Sequence, residues 1–134
     1  MARRLGILLA VAALVAGCGV RSSKPFTAKS TAPCLKTNGF TGVTTKPTEV
    51  GFIAGFADKG GIRASSPSGN VLTIAFTADA ASVGSTEEAF RSHAPKSLRP
   101  HMSDIMQVNR NAVLVWTITP VADELDAVQR CLKP

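Results

Sequence analysis

The chain has 134 residues, with 15 Lys+Arg against 9 Asp+Glu, three Cys, eleven Gly, one Trp and no Tyr. That length supports one domain and excludes multidomain machinery. Hydrophobic residues at 45% and charged ones at 18% exclude a compositionally disordered chain, and aromatics at 5% argue against a sugar-binding or base-stacking platform, both of which need exposed rings.

Arg3 and Arg4 form a positive segment, and Leu5 to Val15 is an unbroken apolar run. As a helix the run rises only about 16 Å, roughly half the hydrocarbon thickness, which is the length of a signal-peptide core and too short for a membrane span. Small residues Ala16 and Gly17 follow, then Cys18. Val15-Ala16-Gly17-Cys18 resembles the lipobox of bacterial lipoproteins. The resemblance covers residues 1–18 and assigns the remainder of the chain to no family. It implies a signal peptide over 1–17, cleavage before Cys18 and a diacylglyceryl thioether on the Cys18 sulfur. The implied location is a cell membrane, lipid-anchored on its extracytoplasmic face or on the periplasmic side of an outer membrane. Two or three acyl chains, at about 0.8 kcal/mol per buried methylene, make a stable anchor. An ordinary secreted protein with a coincidental cysteine is the alternative. Outside the cytoplasm, nucleic acid is not an expected partner.

With Cys18 taken by lipid, Cys34 and Cys131 remain in an oxidising compartment, where a disulfide is expected and two reduced thiols are the alternative. The chain has no Cys-x-x-Cys, so a redox-active site is not expected. Between Cys18 and Thr48 stand Arg21, Lys24, Lys29, Lys36 and Lys46 with no acid. Beside a lipid anchor such a stretch would favour anionic headgroups by about 1 kcal/mol per residue, though a solvated linker is the plainer reading.

Residues 18–30, rich in Ser, Thr, Lys and Gly, read as the lipidated cysteine and a flexible tether; 31–134 read as one domain. A short helix is expected near Thr31, with Pro33 in its first turn and Asn38-Gly39 as its stop. Phe40 to Thr45 alternates as a strand. Thr48 to Gly61 is ambiguous, a brief helix weakened by Gly51 and Gly55 at about 1 kcal/mol each. Ile62–Ser65 and Val71–Thr77 predict a hairpin around Pro67 and Gly69. Ser85 and Glu88 stand at capping-box spacing for a helix that stops at Pro95. A second hairpin is expected from Asp104–Asn109 and Ala112–Thr119, with Trp116 in the core. In the last helix Thr119 is the expected cap and Pro120 the first helical position, with Val121, Leu125, Val128 and Leu132 as a buried stripe. The order predicts an α+β fold: a mostly antiparallel four- or five-stranded sheet with helices packed on one face, its N- and C-terminal helices joined by the disulfide.

The polar cluster Arg91, His93, Lys96, Arg99 and His101, in a Pro-bounded loop, is the candidate anion-binding site, for phosphate, a lipid headgroup or an acidic envelope polymer. A solvated loop is the alternative. The two histidines are eight apart with no Cys or carboxylate at ligand spacing, so neither a metal nor another cofactor is expected. There is no Gly-x-Ser-x-Gly elbow and no His-Glu-x-x-His. Glu87 and Glu88 point about 100° apart on a helix and do not converge on one bond. The expectation is therefore a non-enzymatic envelope module that binds an envelope protein or an anionic envelope polymer, or plays a structural role. A small-molecule or anion-binding lipoprotein is the alternative, and a hydrolase is further from the pattern.

Overall fold

The computed structural model describes residues 23–134; the expected signal segment 1–17 and the lipidation residue Cys18 lie outside the described residues. The elements run α1 (Ala28–Thr37), β1 (Thr41–Thr44), α2 (Phe52–Gly55), β2 (Gly61–Ser65), β3 (Val71–Phe76), α3 (Val83–His93), α4 (Met102–Ile105), β4 (Met106–Asn109), β5 (Ala112–Trp116) and α5 (Ala122–Cys131). The five strands form one antiparallel sheet in the order β1-β2-β3-β5-β4. This is the α+β fold expected from the sequence.

Strand alternation decides which side chains meet. Register pairs Ile62 with Ile74 and Ile74 with Leu114, and Leu72 with both Ala64 and Trp116. These residues share one face and are buried with Leu35 of α1 and with Val128 and Leu132 at the end of α5. At about 1.5–3 kcal/mol for each large apolar side chain fully buried, this face is the main source of stability. Trp116 is 1% exposed, as expected of a core residue, and its indole N–H donates to Gln107 Oε1 at 2.9 Å. The Cys34–Cys131 disulfide forms, with the two Cα atoms 5.4 Å apart, and joins α1 to α5 across 97 residues of sequence.

The helices α1 and α5 cover that face as the sequence suggests. The shorter α2, together with α3, adds a partial second layer on the other face, where Ala75 packs with Val50, Ala54 and the half-buried Phe90. Gly61 permits this layer. A Cβ there would lie 2.4 Å from the Ala54 carbonyl oxygen and 2.7 Å from its Cβ, so α2 rests on β2 where there is no side chain.

Several boundaries differ from the sequence reading, each for a long-range or capping reason. α1 starts at Ala28 instead of Thr31, because Thr27 caps it by accepting from the Ser30 N–H at 3.1 Å. Phe26 is buried, so residues 26–30, read from sequence as tether, belong to the folded part. Their clasp is Asn111. Its Oδ1 accepts from the Phe26 N–H at 2.8 Å, and its Nδ2 donates to the Phe26 and Thr77 carbonyls at 2.9 and 2.8 Å. Arg110 completes it, with its guanidinium 4.3 Å from the Phe26 ring centre and Nη2 donating to the Lys24 carbonyl at 2.5 Å. α3 starts at Val83, and the cap upstream of it is Asp79, which takes the N–H and hydroxyl of Ser82; Ser85 does not cap. β4 begins only at Met106 because Met102–Ile105 is helical, and β5 ends at Trp116.

α5 begins at Ala122, with Val121 at the N-cap and Thr119 and Pro120 outside it. Val121, 60% exposed, leaves the buried stripe. A valine side chain cannot cap. The N–H of Val121 is satisfied instead by Glu124, which reaches back to it at 3.0 Å.

Candidate functional site

The five basic and imidazole side chains expected as an anion site are all exposed, and they are distributed along the α3 terminus and the loop after it. Arg91 reaches Glu87 one turn back at 4.0 Å. Arg99 is committed to the backbone: Nε donates to the Ala94 carbonyl at 3.0 Å and Nη2 to that of Ser92 at 3.1 Å. This guanidinium closes the carbonyl end of α3, a structural task that cations at helix C-termini suit. His101 Nδ1 lies 4.0 Å from Asp104 Oδ2. Lys96 is exposed between them. The structure thus gives Arg91, Arg99 and His101 separate neighbours within the chain and gathers no two of them on one acceptor.

His93 is placed differently. Its Nδ1 lies 2.9 Å from the Ala89 carbonyl, which can only accept, so Nδ1 is the donor in that bond. The ring stands on the rim of an apolar groove of about 250 Å³ between α2, α3 and the sheet, lined by Ile53, Phe90, Leu98, Ile105 and Val115. A second depression of about 270 Å³, under Phe52 and beside Thr73, shares Ile53, Phe90 and His93 with it. The sequence singled out His93 for charge. What it missed is the apolar neighbourhood, which forms where α2, α4 and the sheet come against α3.

Two further features carry chemistry. The first is Glu124, 7% exposed, whose carboxylate accepts from Ser66 Oγ at 2.5 Å, Ser68 Oγ at 2.6 Å and Asn70 Nδ2 at 3.3 Å as well as from Val121. Its burial would push the carboxyl up. The hydroxyls of Ser66 and Ser68, the Val121 N–H and the Asn70 amide outweigh that and hold it below the ordinary glutamate value. Asp79 and Glu49 are also held low, Asp79 by the hydroxyl and N–H of Ser82 and Glu49 by the hydroxyl of Thr44 and then by Lys46. The second is a shallow depression of about 440 Å³ beside α1, lined by Lys29, Lys36 and Lys59 with Pro33 and Thr45. The exposed rings of Phe52 and Phe56 stand on α2 and at its end, with centroids 5.0 Å apart.

Among the described residues, no group of three or more His, Cys, Asp or Glu stands where it could hold a metal ion, and no helix is long and apolar enough to cross a membrane. No protein-family model matches the chain, and neither a curated protein nor a solved structure does.

Proposed function

We propose that the chain is a cell-envelope lipoprotein, anchored through acyl chains on Cys18, whose domain is a non-enzymatic binding or structural module. The observation that carries this reading is the order, within residues 1–18, of positive residues, apolar core, small residues and cysteine. Two features of the fold support it. The folded part takes up the chain at Phe26, eight residues after Cys18, a distance of at most about 29 Å when fully extended, so an anchored domain stands next to its membrane. The ionisable groups that the fold engages most closely hold structural posts: Glu124 fastens α5 to the β2–β3 turn and Asp79 caps a helical turn. The partner class is an envelope protein or an anionic envelope polymer.

Intact-mass analysis of protein purified from membranes tests the reading. The expected species begins at Cys18 and carries a diacylglyceryl mass, and Cys18→Ala keeps residue 1 and gains no acyl group. A native chain that retains residue 1 without acyl mass overturns it. A small amphipathic anion is the second reading, favoured by the imidazole on the rim of an apolar groove. A thermal shift with short-chain carboxylates or phosphates that His93→Ala abolishes would support it; no shift across the panel would exclude it.

A further inference from the structure

We propose that the end of the domain where the chain enters the fold is a membrane-docking face, with Phe52 and Phe56 seated in the interfacial region of an anionic bilayer and Lys29, Lys36 and Lys59 against its headgroups. The proposal rests on the lipoprotein reading above.

Register defines the geometry. Gly61 pairs with Ala75 at one end of the β2–β3 ladder, and Ser65 pairs with Val71 at the other. The incoming chain is fixed at the first end: Phe26 is clasped to Asn111 beside Thr77, and the Ala28 N–H donates to the Lys59 carbonyl at 3.0 Å. Lys59 in turn donates its own N–H to the Phe76 carbonyl at 2.9 Å. The turn that carries Lys59 is the one that leaves α2, so Phe56 stands three residues from it.

Phe52 is 74% exposed and Phe56 80%, and the rings contact each other, not the core. Paired exposed phenyls on one short helix are a surface that water disfavours and a bilayer interface accepts. Charge at the same end of the ladder, with Lys29 and Lys36 on α1 across the sheet from α2, matches an anionic surface. Lys29, Lys36 and Lys59 line one depression, and their long stems can lie along apolar surface while the ammonium groups meet phosphate. The acids nearby are few and partly engaged: Glu49 is paired with Lys46 at 3.0 Å, Asp79 caps Ser82, and Asp58 is exposed beside Lys59. The short span from Cys18 to Phe26 decides the occupant. An anchored chain holds this end nearer to lipid than the Ser65–Val71 end, since eight flexible residues typically reach about 16 Å and the five-residue ladder between the two ends alone spans about 17 Å.

The test uses the full, natively processed chain in proteoliposomes with about one third anionic lipid, a content set to give a strong surface potential. Phe56→Trp reports at the proposed face and Val121→Trp at the opposite end of the sheet; the parent, with its buried Trp116, is the blank. Phe56→Trp is expected to show blue-shifted emission that brominated lipids quench, and Val121→Trp is not. Adding Lys29→Glu, Lys36→Glu and Lys59→Glu is expected to abolish the quenching of Phe56→Trp, with circular dichroism showing that the fold persists. Equal quenching at both positions, or none at Phe56→Trp in protein whose mass proves acylation at Cys18, overturns the docking face and leaves the lipoprotein reading standing. A blue shift without lipid quenching means that a second copy or another protein covers the rings, and also overturns it. Absence of the acyl mass overturns the lipoprotein reading itself.

Discussion

Glu124 offers the sharpest quantitative check of the fold, because one carboxylate joins two pieces of the chain that are far apart in sequence, the start of α5 and the β2–β3 turn. Its Oε1 accepts from the hydroxyls of Ser66 and Ser68, in the β2–β3 turn, and its Oε2 from the Val121 N–H and the Asn70 amide. Asn70 continues the network by donating to the Ile118 carbonyl at 3.0 Å and accepting from the Ile118 N–H at 3.1 Å. Replacing Glu124 by Ala removes a helix-end partner, at about 1 kcal/mol, and leaves buried donors of which one or two lack a substitute, at about 1–3 kcal/mol each, so a loss of about 3 kcal/mol is expected. Glu124→Gln keeps the shape. Its oxygen can face Val121 and Asn70 while the serine hydroxyls turn to accept from its amide, so the loss falls to about 1–2 kcal/mol, mostly the charge.

The pH dependence separates charge from shape. The folded carboxyl is held below its ordinary value near 4.5, so its contribution is fully present above that value and is lost as pH falls through the lower folded one. Urea unfolding of the parent and of Glu124→Gln, between about pH 6 and about pH 3, should show a gap that narrows toward acid, because the parent loses the charge and the variant has none to lose. Asp79 and Glu49 titrate alike in both proteins and cancel. A gap that stays constant over that range, or widens toward acid, refutes the reasoning.

Three further outcomes follow from geometry. Replacing Cys34 and Cys131 by Ala should cost about 2–5 kcal/mol, measured by urea unfolding against the oxidised parent, since the bridge closes a long loop in the unfolded chain. Gly61→Ala should destabilise by about 2 kcal/mol or more, read as a lowered urea midpoint, because the new methyl meets the backbone of Ala54, which cannot swing aside. Asn111→Ala should cost about 2–3 kcal/mol and expose the Phe26 amide to fast hydrogen exchange, since three buried backbone groups lose their partner at once.

How much of this was legible in the sequence depends on the range of each interaction. The strands showed because burial of one face imposes a period of two: Leu72, Ile74 and Phe76 alternate with Val71, Thr73 and Ala75, and the structure keeps that alternation. The disulfide showed because the lipobox resemblance claimed one cysteine of three. The helix starts did not show. Ser85 and Thr119 are good caps by residue type, but Asp79 and Glu124 took those tasks through contacts that a local pattern cannot rank. The engagement of Glu124 with Ser66 and Ser68 spans more than fifty residues of sequence. Phe26 was assigned to the tether for the same reason, since the asparagine that holds it lies 85 residues away. The basic loop was found as composition, and its task in closing the α3 carbonyls became visible only with Arg99 in place.

The bridge between α1 and α5 has a consequence for how the protein can be dismantled. The β2–β3 turn presents Pro67, Ser68 and Gly69 at the surface, where a protease would cut most readily. Any such cut, or any other between Cys34 and Cys131, leaves the two fragments covalently tied through sulfur, and the shared sheet keeps them folded together. Proteolysis alone therefore does not shed the carboxyl-terminal half. Release requires a reductant as well, and on a reducing gel the nicked molecule would separate into two bands where a non-reducing gel shows one.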